Sequence, residues 1–161
     1  MIVLHIIVAT TKFQRDLMHK LEDSLGFQVN MTANAMKNRF NNFLKPYSLT
    51  SEQYVIMKSV EENPDITPTQ LADITFKDKT TITRMINTLV KNEMLIRIPK
   101  DDDRRAYKIQ WSPKGDRIMS EILPITEGVI AKLSSQFSPK DLETFLTILE
   151  KLKQTPCLET L

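Results

Sequence analysis

Glycine is scarce and cysteine nearly absent: the 161-residue chain holds three Gly, one Cys and two His. So few glycines leave no Gly-rich phosphate loop and no nucleophile elbow, and the chain reads as mainly helical. The lone thiol, Cys157, has no partner within the chain, which fits a reducing cytoplasm. It is read as a free thiol in a tail spanning 156–161. His5 and His19 lie far apart without Cys or carboxylate neighbours at metal spacing. Asp101, Asp102 and Asp103 are consecutive, so their carboxylates point different ways rather than into one cation site. No paired catalytic His appears, and neither an enzyme nor a resident cofactor or metal is expected. Long apolar runs are missing too. MIVLHIIVAT is too short to cross a bilayer and lacks both a preceding basic residue and a small-residue cleavage site. Residues 1–20 are therefore expected to form an accessory or disordered N-terminus, with no membrane partner.

Charge is present but unevenly placed. Between Thr67 and Arg117 stand 11 Lys or Arg against 7 Asp or Glu, while the whole chain carries only +2. A basic segment in a mildly acidic frame suits a polyanion. That segment also holds the sharpest helix signals. In ITPTQLADITF, Thr67 is placed to cap, Pro68 to occupy the first helical position and Gln70 to close a capping box. A second helix is encoded in KDKTTITRMINTLVK, with Asp78 as N-cap and Ile82, Met85, Ile86 and Leu89 on one apolar stripe. Opposite that stripe fall Thr80, Thr83, Arg84, Asn87 and Lys91, with Lys79 and Thr81 in the first turn, and none of these is acidic.

Two short helices of this kind, the second presenting Thr, Arg and Asn, match a helix-turn-helix whose recognition helix enters the major groove of double-stranded DNA. Hydroxyls and helix N-terminal amides suit phosphate oxygens, and the guanidinium of Arg84 can grip guanine O6 and N7 together. The candidate DNA-binding residues on this helix are Lys79, Thr80, Thr81, Thr83, Arg84 and Asn87. Taken alone, such a helix is more often merely solvated. The segment from Leu95 to Trp111 shifts the balance. Leu95, Ile96 and Ile98 form an extended run ending at Pro99, and Tyr107, Ile109 and Trp111 alternate with Lys108 and Gln110 in strand rhythm. The pair reads as a hairpin. KDDDRRA between them is too polar to pack and projects as a wing, where Arg104 and Arg105 suit the cation-attracting minor groove.

TTITRMINTLVK succeeded by DDDRRAYKIQWSPKG and a long helix resembles the MarR family of winged-helix transcriptional regulators over roughly residues 22–154. The resemblance implies that Asp103 braces the wing and Arg105 reaches the minor groove. The chain makes two departures from the family pattern: Asn92 and Glu93 stand where Gly is usual after the recognition helix, and Trp111 stands where Leu is usual. Asn92 is expected to supply the left-handed residue that ends the helix.

The remaining chain reads as scaffold. Leu21, Leu25, Val29, Met36, Phe40 and Phe43 describe a long apolar stripe, with Gly26 marking a bend. Thr50 and Gln53 form a capping box for a helix that turns Val55, Ile56 and Val60 inward and stops at Asn63 and Pro64. Ser112 and Pro113 start a helix carrying Ile118, Ile122, Ile125, Val129, Leu133 and Phe137 inward, which Pro124 should kink. Ser138, Pro139 and Asp141 start the last one, faced by Leu142, Phe145, Leu146, Leu149 and Leu152.

The resulting organisation is an N-terminal dimerisation helix at 21–47, a winged helix-turn-helix at 48–112 and C-terminal dimerisation helices at 113–155. A homodimer would set two recognition helices about 34 Å apart on a pseudo-palindrome. The family resemblance further implies repression released by a small anionic or phenolic effector. Phe40, Phe43, Met57 and Trp111 are weighed as lining an effector crevice but read as core. The alternative function is a winged-helix protein-interaction module, which would place acidic or apolar residues on the recognition face.

Overall fold

The computed structural model describes residues 21–99 and 107–154. The N-terminal 1–20 segment with both histidines, the wing loop with Asp103, Arg104 and Arg105, and the tail with Cys157 lie outside the described residues. The chain divides after Trp111 into two compact units.

The first unit opens with a short 3-10 turn, Leu21–Asp23, and a long helix α1, Leu25–Leu44, which a second 3-10 turn, Lys45–Tyr47, closes. Helices α2, Ser51–Glu62, α3, Pro68–Thr75, and α4, Lys79–Lys91, come in quick succession. Strands β1, Leu95–Pro99, and β2, Tyr107–Trp111, then pair antiparallel with Leu95 opposite Trp111 and Arg97 opposite Ile109. The helix starts are where the capping residues place them. Thr50 with Gln53, and Thr67 with Gln70, each form a complete capping box, so orphan donors of both first turns are satisfied locally.

The core gathers Leu44, Ile56, Met57, Leu71, Ile82, Ile86, Leu89, Leu95 and Ile109, all fully buried. The amide of Ile109 donates to the carbonyl of Ile66 at 2.9 Å, so the outer edge of β2 gains one bond from the loop before α3. Asp65 beside it, at φ 65°, accepts from Lys108 Nζ at 2.7 Å and from Gln110 Nε2 at 3.0 Å. This clamp fixes the hairpin against the loop that launches the helix-turn-helix. Glu52 of α2 ties in α1 and the helix-turn-helix turn, with Lys37 at 2.6 Å and Lys77 at 3.7 Å. The hydrogen bond from Lys37 is the main reason its carboxyl lies below the usual range.

Expectation and structure part at several residues of this unit. Val55 is exposed, because Ile56, Met57 and Val60 already define the inward face of α2. Gly26 lies in the first turn of α1 and marks a helix start rather than a bend. Asn92 is not left-handed: its φ is −83°, and Glu93 at φ 59° takes that conformation. The amide of Met94 reaches back to Leu89 O at 2.8 Å and that of Glu93 to Val90 O at 2.9 Å, the paired bonds that need their left-handed residue one place beyond the cap. Ser48 and Phe76, also left-handed, close the turns after α1 and α3 in the same manner. A chain poor in glycine thus stops three helices on residues that carry a Cβ.

The second unit comprises α5, Pro113–Ser134, and α6, Pro139–Gln154. Ser112 caps α5 by accepting from Gly115 N at 2.9 Å, and α5 runs through Pro124 as one helix. Met119 and Ile122 are fully buried, but Ile125, Val129, Leu133 and Phe137, expected to face inward, are exposed. So are Phe145, Leu146 and Leu152 of α6. Two helices in one chain present more apolar face than they can cover.

Leu89→Ala should cost about 2–5 kcal/mol through the cavity it leaves. Glu93→Gly should raise stability by about 0.5–1 kcal/mol, since left-handed strain of roughly 1–2 kcal/mol is relieved against a smaller entropic cost. Denaturant melts of both variants would check the pair; a destabilised Glu93→Gly would show that the turn is held by the Glu side chain instead.

Candidate nucleic-acid interface

The inner stripe of α4 decides its outer one. Ile82, Met85, Ile86 and Leu89 are buried, and at 100° per residue the positions between them must face away from the core. Lys79, Thr80, Thr83, Arg84 and Asn87 line an open hollow of about 410 Å³ on that outer side. Five of the six helix residues singled out from the sequence therefore meet on one surface. Thr81 does not line it. Its hydroxyl and amide both donate to the Asp78 carboxylate, at 2.7 and 2.8 Å, so it is half-buried in the cap.

Asp78 is held below the usual carboxylate range, first by the Thr81 hydroxyl and then by the Thr81 amide. The cap is thus fully charged at neutral pH. Thr83 donates its hydroxyl back to Lys79 O at 2.8 Å, as Thr88 does to Arg84 O at 3.0 Å. The Thr83 oxygen keeps its acceptor capacity, and the residue is exposed.

One contact lies beyond what the sequence suggests. Arg97 of β1 donates to the side-chain oxygen of Asn87, and its guanidinium lies over the Tyr107 ring, 4.8 Å from the centroid. A strand-period signal exists: Leu95 and Arg97 share a face two residues apart, so an inward-facing rhythm carries a charge at its outer end. The residues weighed as lining a crevice have packing roles. Met57 is fully buried, and its carbonyl accepts from Trp111 Nε1 at 2.9 Å. Phe40 meets Tyr54 edge-on at 4.9 Å and stacks with Phe43 at 5.9 Å.

Among the described residues, no cluster of His, Cys, Asp or Glu is placed to hold a metal, and no helix is long and apolar enough to cross a membrane.

Helix-turn-helix, hairpin and a basic outer face together define a winged helix-turn-helix protein. A sequence model of the MarR family matches residues 49–107, from the end of the α1–α2 connection to the first residue of β2. Over that winged helix-turn-helix segment the chain is similar to the MarR family. Relatives include an uncharacterized HTH-type transcriptional regulator, YsmB, from Bacillus subtilis, 26% identical over 73% of this chain and 81% of its own length. The HTH-type transcriptional regulator SarZ of Staphylococcus epidermidis is 24% identical over 79% and 89%. Similar folds include a mutant MarR from E. coli complexed with operator DNA, with TM-score 0.72 and 22% identity, covering 80% of this chain and 92% of that one. The S. aureus MepR–DNA complex has TM-score 0.75 and 18% identity, covering 80% and 96%.

Because the folded Asp78 carboxyl is depressed, its stabilising contribution is present above the unfolded value near pH 4 and is lost as pH falls through the lower folded value. Asp78→Asn should keep the cap at neutral pH, since Asn caps as well as Asp. Below about pH 4 its melting temperature should fall less steeply than the wild type's. Parallel melting curves over that range would expose a mistaken assignment.

Proposed function

We propose that this protein is a sequence-specific DNA-binding transcriptional regulator, a repressor that grips pseudo-palindromic operators as a homodimer. The observation that carries the proposal is the outer face of α4, where Lys79, Thr80, Thr83, Arg84 and Asn87 converge without an acidic side chain among them. Long side chains with donors, short ones with hydroxyls and a methyl form the set that phosphates and base edges require. A protein-docking module would place acidic or apolar groups there. The two structurally similar regulators bound to DNA support the same role.

Arg105 is assigned to the minor groove and Asp103 to bracing the wing on the strength of the family motif, and Arg104 to the minor groove by its charge and its place in the same polar loop. Dimerisation is inferred from the apolar residues exposed in each unit: Leu21, Leu25 and Met36 on the first, Val129, Phe145 and Leu146 on the second. Apolar surface on this scale calls for a partner, and a second copy related by a two-fold axis supplies the spacing of successive major grooves, about 34 Å. A small anionic or phenolic effector that favours one separation of the recognition helices would then release the protein from DNA.

Mobility shifts with the DNA upstream of the protein's own gene, across a salt series and against random DNA, provide the test. A specific complex should outcompete random DNA by about a thousandfold or more and weaken steeply with salt. Arg84→Ala should cost about 1–3 kcal/mol on the specific site alone, and sedimentation should give twice the chain mass. Failure to bind either DNA at low salt would sink the proposal.

A further inference from the structure

We infer that Arg97 is a positioning residue that sets which base Asn87 reads, turning its amide so that Asn87 favours guanine over adenine. This rests on the DNA-binding role proposed above. In the hairpin register Arg97 stands opposite Ile109 and shares a face with Leu95, both of them fully buried neighbours on the side where α4 packs. Arg97 itself lies further towards the wing, past the edge of the core, and is exposed. Tyr107 is two residues from Ile109, hence diagonal to Arg97 on the same face, and its ring supports the guanidinium from beneath. Held there, the guanidinium donates to the Asn87 oxygen.

A guanidinium carries donors only. The amide oxygen of Asn87 must therefore be the atom turned towards the hairpin, and the flipped amide would set N–H against N–H. Its NH₂ group takes the other branch of a side chain that lines the outer face of α4 together with Arg84 and Thr83. An Asn with a free amide reads adenine by presenting oxygen to N6–H and nitrogen to N7 together. With the oxygen turned away, that paired edge is not available. Two N–H donors match guanine, whose N7 and O6 are both acceptors, whereas adenine offers them one acceptor and one donor.

Selection of binding sites from a random duplex pool tests this with the full-length protein and its Asn87→Ala, Arg97→Met and Arg97→Lys variants. Loss of preference in Asn87→Ala identifies the base pair that Asn87 reads. At that pair the wild type should favour guanine, and Arg97→Met, which keeps length but donates nothing, should move the preference towards adenine by about tenfold, the scale of one good bidentate contact. Arg97→Lys, which can still donate to the oxygen, should keep guanine; it also serves if the Met variant does not fold. An Arg97→Met protein that binds every sequence more weakly with unchanged preference would make Arg97 a phosphate contact and overturn the inference, as would an Asn87→Ala protein with no position-specific loss. A wild type that enriches no sequence would overturn the DNA-binding role itself.

Discussion

The burial of four side chains on α4 is the constraint on which the rest of the interface depends. Ile82, Met85, Ile86 and Leu89 leave water together, a gain of roughly 1.5–3 kcal/mol for each large apolar side chain, and no rotation of the helix by a residue or two would keep all four inside. That fixes the azimuth of Lys79, Thr80, Thr83, Arg84 and Asn87. Specific recognition asks for such pre-set orientation, because a side chain that must search for its base loses conformational entropy on binding. The polar face is held by the apolar one.

The hairpin is fastened to the same core by fewer but more directional bonds. Leu95 and Ile109 anchor it through burial, while Ile66, Asp65 and the Trp111 indole connect β2 to the loop before α3 and to α2. The wing base and α4 thus share one platform. A displacement of either would be felt by the other through Arg97 and Asn87, which meet across the gap between them.

Much of this is legible in the sequence because it depends on local chemistry. Capping boxes at Thr50 and Thr67, the Asp78 cap, the four-residue stripe and the strand rhythm from Leu95 and Tyr107 are short-range patterns with one structural solution. Five of the six helix residues assigned to DNA share a surface for the same reason. The sixth, Thr81, carries a side chain that also fits a cap, and sequence position cannot show which partner a hydroxyl takes. The helix end differs from expectation by one residue, since composition favours Asn92 as the left-handed residue but the bonding pattern of Met94 and Glu93 settles which position needs it. The exposed stripes of α5 and α6 read as inward because periodicity shows that a face is apolar, not what covers it. Arg97 escapes sequence reasoning on a further ground: its meaning depends on strand register, and register is a long-range property.

Glycine scarcity joins these observations to the function. Left-handed closures at Ser48, Phe76 and Glu93 each hold a strained backbone at the end of a helix, two of them flanking the helix-turn-helix at its inner turn and its exit. Such strain persists only where surrounding bonds over-determine the conformation. Here the backbone pairs at Lys77 with Ala72 and at Met94 with Leu89 do so, and Leu89 and Met94 are both buried. Strain at the ends of α4 is therefore offset by the same core that orients it. A turn so determined resists the small rotations that glycine would allow, and a helix with little rotational freedom presents its outer face in one orientation.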